Sequence, residues 1–282
     1  MTDAAAGPGR GRPVLVTGCS SGIGADAARR LKARGWRVFA TARQAEDLDR
    51  LAAAGLEAVR LDYADPASIA GAAATVLAAT GGRLDALVNN GAYAQPGALE
   101  DLDTDRLRAQ FEANVFGWHD LTRRVIPAMR RRRHGRIVFV SSVLGFVAAR
   151  YRGAYVASKF AVEGYADTLR IELAGSGIDV VLVEPGPIAS RFRETAVRNA
   201  GHVDVAGSVH RAAYERDLAG AGGVESRFRK GPEAVTAAIV AALESRRPRA
   251  RYRVTVPTRA AALLKRLLPT RAMDRIVGGV RR

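Results

Sequence analysis

The sequence predicts an α/β fold: one doubly wound, seven-stranded parallel sheet with helices on both faces, followed by a short helical C-terminal extension. Three observations predict it. Short β-rich apolar runs recur at residues 14–17, 38–41, 58–61, 84–88, 137–140, 180–183 and 252–256. Stretches of helical spacing rich in Ala, Leu and Arg separate them, and strands apolar on both faces belong to a parallel sheet covered on each side. The chain has 282 residues, 48% hydrophobic and 26% charged, enough to bury one large core without disulfides or metals.

In order along the chain, residues 1–12 are rich in Gly, Ala and Pro and read as a flexible tail. Residues 13–256 hold the alternating pattern and form a single domain. Within it, residues 187–230 follow the sixth strand, are rich in Gly and charge, and lie where open α/β sheets place their ligands, so they read as a mobile lid. Residues 257–282 form a basic extension of two short amphipathic helices. Ala260, Leu263, Leu264, Leu267 and Leu268 mark the first, and Met273, Ile276, Val277 and Val280, beyond Pro269, mark the second. These apolar faces are expected to pack on the parent domain or a partner subunit, with peripheral contact to a membrane surface as the alternative.

The net charge of +16 and a pI near 11.0 would suit a polyanionic partner. Only four of the 44 basic residues are lysines, however, and the arginines are spread through every segment, so no nucleic-acid partner is expected. The densest run, residues 130–133, falls where a helix should end and its cations meet the negative end of the helix dipole. One cysteine, Cys19, and the lack of a secretory start suit a cytoplasmic protein. Arginines interrupt every long apolar stretch, which excludes a spanning helix.

The first strand runs into Thr17-Gly18-Cys19-Ser20-Ser21-Gly22-Ile23-Gly24, and a helix follows. Glycines permit a sharp turn and close approach to a diphosphate, and the helix N-terminus offers free N–H donors, so this is a dinucleotide site. Nineteen residues beyond Gly24, at the end of the second strand, stands Arg43. An acidic residue there would accept from a ribose 2′-hydroxyl, whereas a guanidinium suits a 2′-phosphate, so NADP(H) is preferred over NAD(H). Ser20 and Ser21 are placed to bond the same phosphate. Asp62, beside Tyr63, is placed to accept from the adenine amino group or simply to cap a turn. Asn89-Asn90-Gly91-Ala92 closes the fourth strand, where the Asn pair ties strand ends together and shapes the adenosine pocket. Asn114 lies inside a helical stretch that does not favour it.

The strongest local signal is Tyr155-Val156-Ala157-Ser158-Lys159, preceded by Ser142. Positions i and i+4 share a helix face, so the phenol and ammonium of Tyr155 and Lys159 point the same way. A phenol near pKa 10 is a poor acid-base group at neutral pH, and a neighbouring cation favours its ionised form.

Taken together, and in this order, these residues resemble the classical short-chain dehydrogenase/reductase family over nearly the whole chain. The resemblance rests on Gly18, Gly22 and Gly24, the Asn89-Asn90 pair, Asn114, Ser142, Tyr155 with Lys159, and Pro185-Gly186 after the sixth strand. It implies a Rossmann-type sheet and an NADP(H)-dependent oxidoreductase interconverting a carbonyl and an alcohol, in a homodimer or homotetramer. By the same resemblance, Ser142 bonds the carbonyl oxygen and Tyr155 donates or accepts the proton. Lys159 holds the nicotinamide ribose and lowers the pKa of Tyr155, Asn114 positions a water, and Ile188 and Ser190 meet the carboxamide. The segment from Tyr155 to Leu173, the turn at Pro185-Gly186-Pro187-Ile188 and the basic extension look most like the hydroxysteroid, retinol and aldehyde reductase branch, which implies a hydrophobic substrate.

Two positions depart from the family pattern. Asn-Asn-Gly-Ala replaces Asn-Asn-Ala-Gly, and a Cβ at position 92 crowds the cofactor if the backbone there takes a positive φ. Ser190 stands where threonine is common. The reading from another class is a non-catalytic nucleotide-binding protein that uses its basic surface to bind nucleic acid or acidic membrane. An epimerase or dehydratase on the same fold would need a larger substrate domain than this chain has room for.

Overall fold

The computed structural model describes residues 9, 11–190, 192–200, 203–215 and 228–278. Seven strands, β1 (Pro13–Val16), β2 (Arg37–Ala42), β3 (Glu57–Arg60), β4 (Ala86–Asn89), β5 (Gly135–Val140), β6 (Ile178–Glu184) and β7 (Arg251–Arg253), form one sheet. Its order is β3-β2-β1-β4-β5-β6-β7 and every pairing is parallel. The helices are α1 (Gly22–Ala33), α2 (Ala45–Ala53), α3 (Pro66–Ala79), α4 (Thr104–Phe111), α5 (Gly117–Arg131), α6 (Gly153–Glu172), α7 (Phe192–Ala200), α8 (Arg211–Tyr214), α9 (Pro232–Glu244), α10 (Val256–Leu267) and α11 (Thr270–Gly278).

The period of two in each strand builds two cores. Val14 and Val16 join Val38, Ala40, Val88, Val138 and Val181 beneath α1, α2 and α9. Leu15 faces the other way with Phe39, Leu87, Ile137, Phe139 and Leu182, beneath α3, α5 and α6. With both faces covered, the inner strands β1, β4, β5 and β6 are apolar at most positions, which is why those runs are so plain in the sequence, whereas the edge strands β3 and β7 begin and end on charged residues. The chain leaves β3 at one edge and returns through β4 on the far side of β1. The carboxyl ends of β1 and β4 therefore diverge, and that crevice is where a doubly wound sheet binds its ligand.

The ends of the first six strands differ from the apolar runs by a residue or two, and β7 ends three residues early. At β7 the difference has a cause: Val256, expected to end the strand, begins α10, because the Thr255 side chain caps that helix by accepting from the Thr258 amide and Pro257 occupies its first turn. Asn114 also finds its reason. Helix α4 passes into α5 through a single π-helical turn, Glu112–Phe116, and Asn114 sits in it, fully buried.

The C-terminal helices occur as expected, but much of their apolar surface does not face the domain. The buried positions of α10 are Thr258 and Ala262, while Leu263 and Leu267 are 59% and 69% exposed. Met273 anchors α11, while Ile276 is exposed. Thr258, Ala262 and Met273 thus pack on the parent domain, while Leu263 and Leu267 do not, which leaves the expected partner subunit or membrane surface for them. Most of the expected N-terminal tail, the middle of the expected lid and Val280 lie outside the described residues. Among the described residues, no helix is long and apolar enough to cross a membrane.

Candidate active site

The turn after β1 is held open by backbone geometry. Gly18 and Gly22 take φ of 68° and 57°, in the left-handed region that side chains disfavour. A Cβ on Gly18 would stand 2.5 Å from Gly91 Cα, and one on Gly24 would stand 2.2 Å from the Gly18 carbonyl oxygen. Ser21, at the N-cap of α1, makes no side-chain capping bond, leaving its hydroxyl and the first-turn amides of Gly22, Ile23 and Gly24 for a ligand. Ser20 is exposed beside them, and Ser190 lies across the turn, its Cβ 3.2 Å from where a Gly22 Cβ would be.

The floor of this crevice is tied together by Thr17, named in the motif but given no role from sequence. Its buried hydroxyl donates to the Val88 carbonyl at 3.0 Å and accepts from the Asn90 and Gly91 amides at 2.8 and 3.1 Å. Asn90 donates from Nδ2 to the Thr17 carbonyl, and Asn89 donates to the Thr122 hydroxyl, so the Asn pair locks β4 to β1 and α5. Gly91 accepts in turn from the Trp118 indole at 2.8 Å. Arg133 and Tyr151 are the only described non-glycine residues with positive φ. Ala92 is therefore not among them, and the Gly91-Ala92 order fits the backbone without strain.

Beyond the turn, Arg43 is exposed at the end of β2 and forms no ion pair with a described residue. Asp62 does cap a turn, its Oδ1 accepting from the Ala64 amide at 3.0 Å. Tyr63 points inward: its hydroxyl lies 2.9 Å from both Thr17 Oγ1 and Asn89 Oδ1, and burial pushes the phenol up. The Tyr63 side chain supports the crevice from beneath, so any cofactor contact by this residue must come from its backbone.

The structure brings Ser142, Tyr155, Lys159 and Asn114 together. Ser142 follows β5 and caps a short 3-10 turn, Val143–Gly145, its Oγ accepting from the Leu144 amide at 3.1 Å. Tyr155 is buried on the first turn of α6. Burial pushes its phenol up to about 12, opposed by the hydrogen bond with Ser142 and by the charge of Arg152. Lys159, one turn on, is 1% exposed; it donates to the Val140 carbonyl at 2.9 Å and lies 4.3 Å from the Trp118 ring centroid. Burial lowers its ammonium to about 7, opposed by Glu163 one further turn along α6. Burial, then, rather than Lys159 dominates the phenol, contrary to the simple expectation that the lysine draws it down. Asn114 Oδ1 accepts from the Tyr93 amide and its Nδ2 donates to the Tyr93 carbonyl, tying the π turn to the loop after β4.

Glu163 was not legible from sequence. Its carboxyl shares the Arg251 guanidinium with Glu184, whose Oε1 is 2.7 Å from Arg251 Nη1, and burial together with Glu184 raises its pKa. Also unanticipated is a latch between α8 and the segment before α4. The Tyr214 hydroxyl donates to Asp101 at 2.6 Å and accepts from the Ala98 amide, while Ser208 donates to Asp101 as well. Tyr155 itself is roofed by α7: the Phe192 ring centroid lies 5.4 Å from that of Tyr155, and Ala94, Leu144 and Ala196 complete an apolar wall. Pro185 is buried, and Gly186 backs onto Thr255, whose Oγ1 is 2.1 Å from a Gly186 Cβ position. Ile188 pairs with Lys230 in an isolated bridge. A separate cavity of about 450 Å³ opens between Leu99, Arg150, Tyr151 and His210; none of the four grouped residues lines it.

A family model described as short chain dehydrogenase matches residues 12–201. The chain is a short-chain dehydrogenase. The dehydrogenase is 41% identical over 268 residues to the uncharacterized oxidoreductase YbbO of Escherichia coli strain K12, covering 95% of this chain and 94% of YbbO. It is 34% identical to retinol dehydrogenase 8 of Homo sapiens, over 87% of this chain and 82% of that protein. The crystal structure of a short-chain dehydrogenase from Streptomyces avermitilis superposes with a TM-score of 0.77 at 33% identity, covering 94% of this chain and 96% of that one. The dehydrogenase is accordingly a nicotinamide-dependent oxidoreductase acting on CH–OH or C=O groups, with retinol dehydrogenase-like relatives. That membership disfavours the non-catalytic reading. Its residues fit such a cofactor: the glycine turn leaves a cradle that a Cβ would fill, and buried Lys159 spends one of its three donors on protein.

Proposed function

We propose that the enzyme is an NADP(H)-dependent carbonyl reductase of hydrophobic ketones or aldehydes, with Tyr155 as its acid-base group. The observation that carries this reading is the wall around Tyr155. Ala94, Leu144, Phe192 and Ala196 are apolar, and Ser142 is the hydroxyl bonded to the phenol. Such a wall accepts a carbonyl flanked by hydrocarbon and offers little to a sugar or hydroxy acid.

The bound nicotinamide supplies the hydride or takes it up; the chain's own residues do the rest. In reduction, Ser142 donates to the substrate oxygen as negative charge develops there, and Tyr155 delivers its proton to that oxygen. A phenol held near 12 by burial stays protonated until the oxygen needs it, and the Lys159 cation stabilises the phenolate left behind. Lys159 also turns its remaining donors toward the cofactor ribose, with Asn114 organising the loop at Tyr93 on the proton's path outward. The lid excludes water over Tyr155 through Phe192, which supports a closed reacting state. Exposed Arg43, with no ion pair to a described residue, supports the 2′-phosphate preference, as do the hydroxyls of Ser20 and Ser21 at the glycine turn.

Exposed Phe116, Phe160 and Ile171, at the π turn and on α6, support assembly into a homodimer or homotetramer. The buried Cys19 thiol, pushed up to about 12 by burial, suits a cytoplasmic enzyme whose cysteine is not reactive. The test is NADPH oxidation across alkyl ketones, aldehydes, steroids, retinoids and hydrophilic sugars, with NADH as control. Preference for a hydrophobic carbonyl with NADPH is expected; preference for a sugar, or for NADH, would overturn the corresponding half of the reading.

A further inference from the structure

Helix α10 is amphipathic in an unusual sense. Val256, Ala260, Leu263 and Leu267 recur at i, i+4, i+7 and i+11, and all four are exposed. Val256, Leu263 and Leu267 are 57%, 59% and 69% exposed, so an aliphatic stripe three turns long faces away from the domain. Arg259 and Arg266 border it along one side. Helix α11 adds exposed Ile276 and Val277. From Val256 to Gly278 the exposed charges are Arg259, Lys265, Arg266, Arg271 and Arg275 against Asp274 alone, and none of these cations is ion-paired to a described residue.

We infer that this surface docks on an anionic lipid bilayer. A second copy of the chain would cover the leucines, but the symmetric contact would set five cations against five. Anionic lipid satisfies both features at once. The aliphatic side chains reach the acyl boundary while the long arginine and lysine stems carry their charges to the headgroups. The surface also lies close to the catalytic crevice. Helix α10 packs against the turn Val143–Gly145, next to Ser142, and its capping residues Thr255 and Thr258 back onto Gly186. Docking therefore brings the rim of the site toward the bilayer. The inference rests on the exposed stripe and its charges and does not depend on which substrate the enzyme takes.

The experiment is co-sedimentation of the full-length protein with vesicles of mixed phosphatidylglycerol and phosphatidylcholine, against phosphatidylcholine alone, at about 0.1 M salt. The wild type is expected to bind the anionic vesicles and not the neutral ones. The charge-neutral pair Leu263→Ser/Leu267→Ser should weaken binding at least tenfold while NADPH binding is retained. Arg259→Gln/Arg266→Gln should weaken it roughly fivefold per cation. No partition onto anionic vesicles would overturn the inference. Undiminished binding of the serine pair would overturn it as well, leaving only diffuse attraction by the net charge. So would a lipid-free wild-type dimer that the serine pair dissociates, because the stripe would then be a subunit interface. Should the serine pair fail to fold, the lipid-composition comparison on the wild type and the glutamine pair still decide.

Discussion

Replacing Lys159 with Met should abolish turnover and at the same time stabilise the ligand-free protein. Burial pulls the Lys159 ammonium from an ordinary 10.5 down to about 7. At about 1.4 kcal/mol per tenfold change in proton affinity, holding it charged at pH 6 costs about 5 kcal/mol. Met keeps the length of the side chain but forfeits the hydrogen bond to Val140 and the contact with Trp118, together worth about 2–4 kcal/mol. The net gain is about 1–3 kcal/mol. With an unfolding entropy of about 2 cal/mol/K per residue over 282 residues, that raises Tm by about 2–5 °C. The sign with pH follows from a folded pKa below the unfolded one. The unfolded chain binds the extra proton between about 7 and 10.5, so the penalty is fully present below about 7 and fades as pH rises toward 10.5. Calorimetry at pH 6 and pH 9 reads both numbers. A Met variant less stable than wild type at pH 6, or a gain that does not shrink by pH 9, would refute the reasoning.

Arg43→Ala should lower kcat/KM for NADPH roughly 10–100-fold and leave NADH nearly unchanged, as expected from losing a charge-assisted phosphate contact; steady-state kinetics with both cofactors checks it, and equal losses would contradict it. Gly18→Ala should cost about 2 kcal/mol or more in thermal denaturation, since its Cβ meets Gly91 at 2.5 Å on a left-handed backbone. Gly71→Ala, where nothing lies within 4 Å on α3, should gain up to about 1 kcal/mol. Glu163→Gln removes the charge that opposes the fall in the Lys159 pKa, so the Lys159 limb of the kcat/KM profile should move to lower pH. Glu184 and Asp167 still hold Arg251 in that variant, and a limb that stays in place or moves to higher pH would show that Glu163 does not act on Lys159.

The sheet was legible because its inner strands are apolar on both faces and announce themselves without reference to partners, while the charged edge strand β7 shares only Tyr252 and Arg253 with its expected run. The catalytic group was legible because helical spacing puts Tyr155 and Lys159 on one face. What escaped depends on contacts between distant segments. Thr17 gathers β1 and β4, 71 residues apart, through one hydroxyl, and Tyr214 reaches Asp101 across 113 residues. No local pattern marks either. Glu163 looked like an ordinary helical glutamate until Arg251, 88 residues on, drew it inward. The leucines of α10 stay open in the sequence for the opposite reason: periodicity shows that a helix has an apolar face, and only the three-dimensional fold shows which way it points.

The claim on which most depends is that Tyr155 moves the proton. Tyr155→Phe removes one oxygen from a buried ring and leaves Phe192, Ala94 and the glycine turn untouched. Its turnover of the best carbonyl substrate, measured beside NADPH affinity by fluorescence titration, should fall about a thousandfold or more with affinity within a few-fold of wild type. Turnover within tenfold of wild type would place the acid-base chemistry on another group.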